Sequence, residues 1–179
     1  PYRESSNIYD AIAKDFGKIT LIHKGIKYNK KSNSLELFCP YKINWSGKSD
    51  IKFIRDFEST EKLNLSPKHN IIGMYFNEIM YYLTKNDFRI EKLYDHYDNS
   101  LRNLQNSNDL LANLNNYEIG ILLLTGHYLV FDTDTNGNTI EDTKKYTYVP
   151  DFGPKIVLDG KDAYSGATLI ALSGQQPYN

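Results

Sequence analysis

LNLSPKHNIIGMYFNEIMYYL, residues 63–83, is where the chain changes its period, and that change decides the fold. Ser66 followed by Pro67 is a helix start. The serine hydroxyl can accept a free N–H of the first turn, and proline sits where no N–H is needed. From Ile71 to Leu83 the spacing is helical, with Ile72, Tyr75, Phe76, Ile79, Met80 and Leu83 on one side. Ahead of this stretch the period is two. Asn7 to Ala13 alternates weakly, and Asp15 to Lys18 reads as a turn. Lys18 to Lys24 then sets Ile19, Leu21 and His23 against Thr20, Ile22 and Lys24. Leu35, Leu37, Cys39, Tyr41, Ile43 and Trp45 share one face of an expected long strand, with Pro40 marking an edge or a bulge. Ser46 to Asp50 is a turn, and Ile51, Phe53, Arg55 and Phe57 form the returning face. Short strands at regular spacing predict a small barrel or sandwich, with the boundary between the β and α parts near residues 62–66.

Beyond residue 83 the helical period continues. A second helix is expected from about Arg89 to Leu104, with Ile90, Leu93, Tyr94, Tyr97, Leu101 and Leu104 at one spacing. A third runs from about Asp109 to Leu124 and ends at Thr125-Gly126, where glycine suits the left-handed position past a helix end. Three helices with short links predict an antiparallel cluster. Lys144 to Val149 and Lys155 to Leu158 read as a hairpin around Pro150 to Pro154, and Ser165 can cap a short helix over 166–172.

At 179 residues the chain suits one domain or two small ones. Its hydrophobic share of 40% and charged share of 24% are those of an ordinary globular protein. The net charge of −1 conceals an uneven distribution. Lys and Arg outnumber Asp and Glu by 13 to 8 in residues 1–72, and are outnumbered 14 to 8 in residues 73–179. Lys14, Lys18, Lys24, Lys27, Lys30 and Lys31 have one acid, Asp15, among them. Basic clustering on one segment is the electrostatic footprint of a polyanion partner, and a solvated lysine-rich surface is the plainer reading. Cys39 is the single cysteine, which excludes an internal disulfide and a cysteine-based zinc site, and fits a reducing compartment. No apolar run approaches the ~20 residues of a membrane span, and no signal-peptide pattern is present.

Catalytic constellations do not assemble. His23, His69, His96 and His127 are scattered, and no GxxxxGK[ST] or GxGxxG run exists. Cys39 falls on the apolar face of its strand, so it reads as a small buried hydrophobe. Glu78 and Glu118 read as helix-surface acids. Asp132, Asp134 and Asn136 with Gly137 match the opening of a calcium loop, but its twelfth position is Thr143 where a bidentate Glu is needed. An exposed turn uses the same residues. The lysine-rich front is the stronger lead, because a small barrel binds single strands with a basic groove and stacking aromatics. Lys18, Lys24, Lys27, Lys30 and Lys31 are the expected phosphate contacts, with Tyr28 as the stacking residue. Trp45 and Phe53, on apolar faces, are expected in the core.

Three blocks resemble the family of bacterial RecO, the recombination mediator. They are Tyr2 to Ser6 with FGKITLIHKGIK at Phe16–Lys27, MYFNEIMYYL at Met74–Leu83, and LNNYEIGILLLTG at Leu114–Gly126. The last two are similar to the family's Y-x-N-E-L-L and L-R-R-F-E-x-x-L-L-x-x-L-G helices. The resemblance implies an α+β protein, with an OB-type barrel over 1–64 and a helical domain over 65–179 that carries a small hairpin module at about 127–160. It also implies a non-enzymatic DNA repair mediator without a cofactor, cytoplasmic and nucleoid-associated. Such a protein would bind single- and double-stranded DNA, anneal complementary strands, contact the single-strand-binding protein SSB, and load RecA together with RecR.

Three departures qualify the likeness. The family's first barrel strand precedes the position of Pro1, so the barrel is expected to lack it or the chain to be trimmed. Phe131 to Thr143 carries none of the cysteines of the zinc-bearing members, which points to the zinc-free subgroup. Asn115 and Asn116 replace a pair of arginines suited to the acidic tail of SSB, which leaves Lys144, Lys145 and Lys155 as candidate contacts. The alternatives are an adaptor without DNA binding and a calcium-binding domain.

Overall fold

The computed structural model describes residues 6–24, 34–48, 51–85 and 89–174. Its elements run β1 (Ser6–Ala13), β2 (Gly17–Lys24), β3 (Tyr41–Ser46), β4 (Ile51–Ser59), α1 (Pro67–Leu83), α2 (Leu93–Asn106), α3 (Leu110–Leu124), β5 (Lys145–Val149), β6 (Gly153–Val157), β7 (Tyr164–Ser165) and α4 (Gly166–Ser173). The architecture is α+β. It divides into two compact units, Pro1–Leu110 and Leu111–Asn179. Strand gives way to helix between Ser59 and Pro67, while α1 and α2 group with the front sheet and α3 heads the rear unit.

The front unit is built on a sheet of order β1-β2-β4-β3. β1 and β2 form an antiparallel hairpin in unbroken register from Ser6↔Lys24 to Ala13↔Gly17. β2 runs parallel to β4, and β4 antiparallel to β3. Ile19, Leu21 and Ile54 form the center of its inner face, and Tyr9 and Ala11 from one edge strand and Ile43 and Trp45 from the other pack on them. Residues from both edges thus share one cluster, although no closed barrel forms among the described residues.

Two strand expectations are corrected. The long strand over 35–45 starts only at Tyr41, because Phe38 takes a left-handed φ of 58° and breaks the extension just before Pro40. Leu37 lies exposed instead of on the apolar face. In β4 the inward residues are Lys52 and Ile54, not Ile51, Phe53 and Arg55. Asn44 pairs with Asp56 but Trp45 with Ile54, so Arg55 is an extra residue on β4. This β-bulge shifts the alternation by one, and Phe57 returns to the core.

Ser66 caps α1 as expected, its hydroxyl accepting from the His69 N–H. The buried stripe is Gly73, Phe76 and Met80, while Tyr75 and Leu83 are exposed. α2 begins at Leu93, later than the pattern implied, after Lys92 adopts a φ of 62°. Leu93, His96, Leu101 and Leu104 are its buried positions.

In the rear unit Ile119, Phe131, Ile140, Tyr146 and Leu169 form the core. α3 ends at Gly126 with φ 89°, where the Gly126 and His127 N–H groups donate back to the Leu123 and Leu122 carbonyls. That is the glycine stop the sequence promised. The hairpin pairs Lys145↔Val157 through Val149↔Gly153, and β7 adds to its other side. Gly166, which opens α4 after the Ser165 cap, must be glycine: a β-carbon there would stand 1.9 Å from the Glu141 carbonyl oxygen.

Candidate nucleic-acid interface

The bulge at Arg55 turns Phe53 outward, and this creates the front unit's cationic notch. Ile22 and Lys24 of β2 meet Phe53, Ile54 and Arg55 of β4 around a pocket of about 370 Å³. The Lys24 ammonium stands 4.3 Å above the center of the Phe53 ring. The quadrupole of an aromatic face attracts a cation at this range, so the ring holds the ammonium without neutralising it. Arg55 is fixed beside them, its Nε donating to the Ser46 hydroxyl at 2.8 Å across to β3. Neither cation has a carboxylate partner among the described residues. Chemically the notch offers two uncompensated charges and a half-buried π-face, the combination that takes a phosphate and a stacked base. Lys48, in the turn after β3, is exposed as well.

Sequence reading placed Phe53 in the core and did not single out Arg55. The signal was the bulge, which one strand read alone does not reveal. Trp45 does pack inward, its ring edge-on to Phe16 with centers 5.2 Å apart.

Lys18 departs from the expected exposed track. Only 8% of it is exposed, and its ammonium donates to the Tyr81 carbonyl at 2.9 Å while lying 4.4 Å over the same residue's ring. Tyr81 is in the last turn of α1, where carbonyls have no helical partner and no basic residue of the helix itself is present. Lys18 therefore serves the negative end of α1 rather than an outside anion. Lys27, Tyr28, Lys30 and Lys31 lie outside the described residues.

The rear lysines differ among themselves. Lys144 pairs with Glu141 at 2.6 Å, and Lys145 with Asp159 at 2.8 Å. Lys155 has no ion pair among the described residues. It pairs with Thr147, on the same face of the hairpin as Lys145. The Asp132–Asn136 loop is organised from within. Asp134 is buried, and its carboxylate accepts from the Asn136 and Asn138 backbone N–H groups at 2.9 and 2.8 Å and from the Asn138 side chain at 3.2 Å. These bonds, the Asn138 amide foremost, hold its carboxyl below the usual value of 3.8. No group of three His, Cys, Asp or Glu that could hold a metal occurs among the described residues. Of the calcium-loop residues Asp132, Asp134 and Asn136, Asp134 is thus engaged within its own turn. No helix among the described residues is long and apolar enough to cross a membrane.

Residues 65–173 match the family model described as the C-terminal region of recombination protein O. Curated proteins named DNA repair protein RecO are similar over nearly the whole chain. The one from Coxiella burnetii is 31% identical over 179 residues, covering 96% of this chain and 77% of that protein. The one from Pseudoalteromonas translucida is 27% identical over 97% of this chain and 76% of its own length. That from Laribacter hongkongensis is 28% identical over 96% and 73%.

Proposed function

Since the chain belongs to the RecO family of DNA repair and recombination proteins, we propose that its front sheet is the DNA-binding face of a strand-annealing mediator. The observation that carries this reading is the Lys24 ammonium held over Phe53 with Arg55 beside it. A phosphate would displace water from the two cations and release counterions from DNA, while an unstacked base would lie on the ring. Lys27, Lys30 and Lys31, with Tyr28, follow Lys24 in sequence and extend the same basic segment. Holding two strands on one cationic face lowers their mutual repulsion, which is the electrostatic requirement of annealing.

The four strands are consistent with an OB-type barrel. A parallel β2–β4 pair flanked by antiparallel neighbors is that barrel's pattern, and a fifth strand between the edges β1 and β3 would close it. In this reading the domains are 1–64 and 65–179, and the protein acts without catalysis at the bacterial chromosome. Its partners are single- and double-stranded DNA, SSB, RecR and, through RecR, RecA. Lys155, with Lys144 and Lys145 once released from their acids, is the proposed contact for the acidic SSB tail.

Fluorescence anisotropy with a labelled single-stranded oligonucleotide tests the DNA reading. Binding should fall steeply with salt, and K24E combined with R55E should weaken it by about tenfold or more. Equal affinity in that variant would remove the notch from the site, and no binding at low salt would favour an adaptor.

A further inference from the structure

The rear sheet ends on one side in an open strand. Its order is β6-β5-β7, so β6 has a neighboring strand on one flank only among the described residues. β7, the opposite edge, is two residues long and runs directly into α4. Along β6 the backbone groups alternate between β5 and the free side. Pro154 marks which residues face out, because its carbonyl accepts the Thr135 N–H at 2.8 Å, from a residue outside the hairpin. Ile156, two residues on, therefore turns its N–H and carbonyl to the same free side. The loop that reaches Pro154 covers that end of the strand and leaves the Ile156 end open.

The side chains at the open end are of two kinds. Ile156 is 40% exposed, and Leu158, just past the strand, is 100% exposed. Ile156 pairs with buried Tyr146, so it carries the apolar face of the sheet on to the edge, and alternation puts Leu158 on that face too. The opposite face carries Lys155, which has no ion pair among the described residues, and Asp159, whose carboxylate meets Lys145 at 2.8 Å. An exposed edge is a template for a further strand, and charge is the usual guard against it. Here the guarding charges have opposite signs four residues apart, which makes the edge complementary to itself.

We propose that β6 pairs antiparallel with β6 of a second copy of this chain, about a two-fold axis at Val157. In that register Ile156 lies opposite Leu158 of the partner subunit, and Lys155 opposite Asp159 of the partner subunit. Both Ile156–Leu158 pairs fall at hydrogen-bonded positions, because their backbone groups are the ones that face out. An axis at Ile156 would set Lys155 against Val157, and an axis at Lys155 would oppose two like charges. One register thus suits the backbone, the apolar pair and the charged pair together, and the same patch serves both copies as an isologous interface requires. A seam this short falls below the roughly 1,200 Å² of a stable complex, so the dimer is a weak one that forms at high concentration. Lys155 cannot serve this seam and an acidic tail at once, so the dimer is the form without a tail bound.

Sedimentation velocity of the whole chain from about 5 to about 500 μM tests the pairing. The weight-average mass should rise from monomer toward dimer across that range. Ile156→Pro removes the outward N–H and spares the ladder with β5, so it should abolish the rise while its circular dichroism spectrum matches the parent. Lys155→Glu should weaken association about tenfold, and Asp159→Lys likewise. The two combined restore an opposite-charge pair with the signs exchanged, and should recover most of the parent's association. A chain that stays monomeric at the highest concentration would overturn the proposal. So would undiminished association of Ile156→Pro, or a double variant no better than either single one. DNA binding at the Lys24 notch plays no part in any of these outcomes.

Discussion

The two ends of β2 carry the same residue and use it in opposite ways. Lys18 and Lys24 lie on one side of the strand, six residues apart, and both ammonium groups rest over an aromatic ring. At the Lys18 end α1 covers the strand, and the charge goes to the helix's last carbonyls. At the Lys24 end no helix among the described residues intervenes, the ring belongs to the neighboring strand, and the charge faces outward. What a lysine does is set by what covers it. A count of basic residues along the front half cannot separate the two.

Substitutions at these positions should divide stability from binding. The largest effect is expected for Lys18→Met, which leaves the Tyr81 carbonyl unsatisfied at a helix end. It should cost about 2 kcal/mol in urea unfolding while leaving the salt slope of DNA binding unchanged. An altered salt slope would mean that Lys18 reaches DNA after all. Phe53→Leu keeps the apolar bulk and removes the π-face, so single-stranded DNA affinity should fall by about 1 kcal/mol in anisotropy titrations with little change in melting temperature. Lys24→Gln should weaken binding uniformly across sequences and lower the magnitude of the salt slope by about 1. A sequence-dependent loss would instead mark Lys24 as a base contact.

The rear unit extends the comparison to a region whose charged groups hold one another. Asp134 contributes stability above its unfolded value, near 3.8, and that contribution is lost as pH falls through its lower folded value. Asp134→Asn should therefore lower the rear unit's melting temperature at pH 7, by calorimetry, with the gap from the parent closing in strong acid. The smallest effect belongs to Lys145→Ala: its exposed pair with Asp159 should leave both melting temperature and DNA affinity as they were.

Much of the fold was legible because local chemistry decided it. The Ser66-Pro67 start, the Gly126 stop, the Ser165 cap and the alternation through β2 each depend on a few neighboring residues. The errors came where a distant or backbone event intervened. Phe38 entering left-handed space cut one strand short, and an extra residue opposite Asn44 and Trp45 inverted the faces of another. Lys24 was visible as part of a basic run. Phe53 and Arg55 were not, because their direction depends on register with β3.

That inverted register has a further consequence for how the strand can change over time. Upstream of Arg55, β4 presents Phe53 to whatever the protein touches; downstream, it returns Phe57 to seal the interior. One strand thereby carries two vocabularies, separated by a single residue. Affinity can drift at the first without loosening the second, so the surface is free to adapt to a new partner on a scaffold that need not be rebuilt.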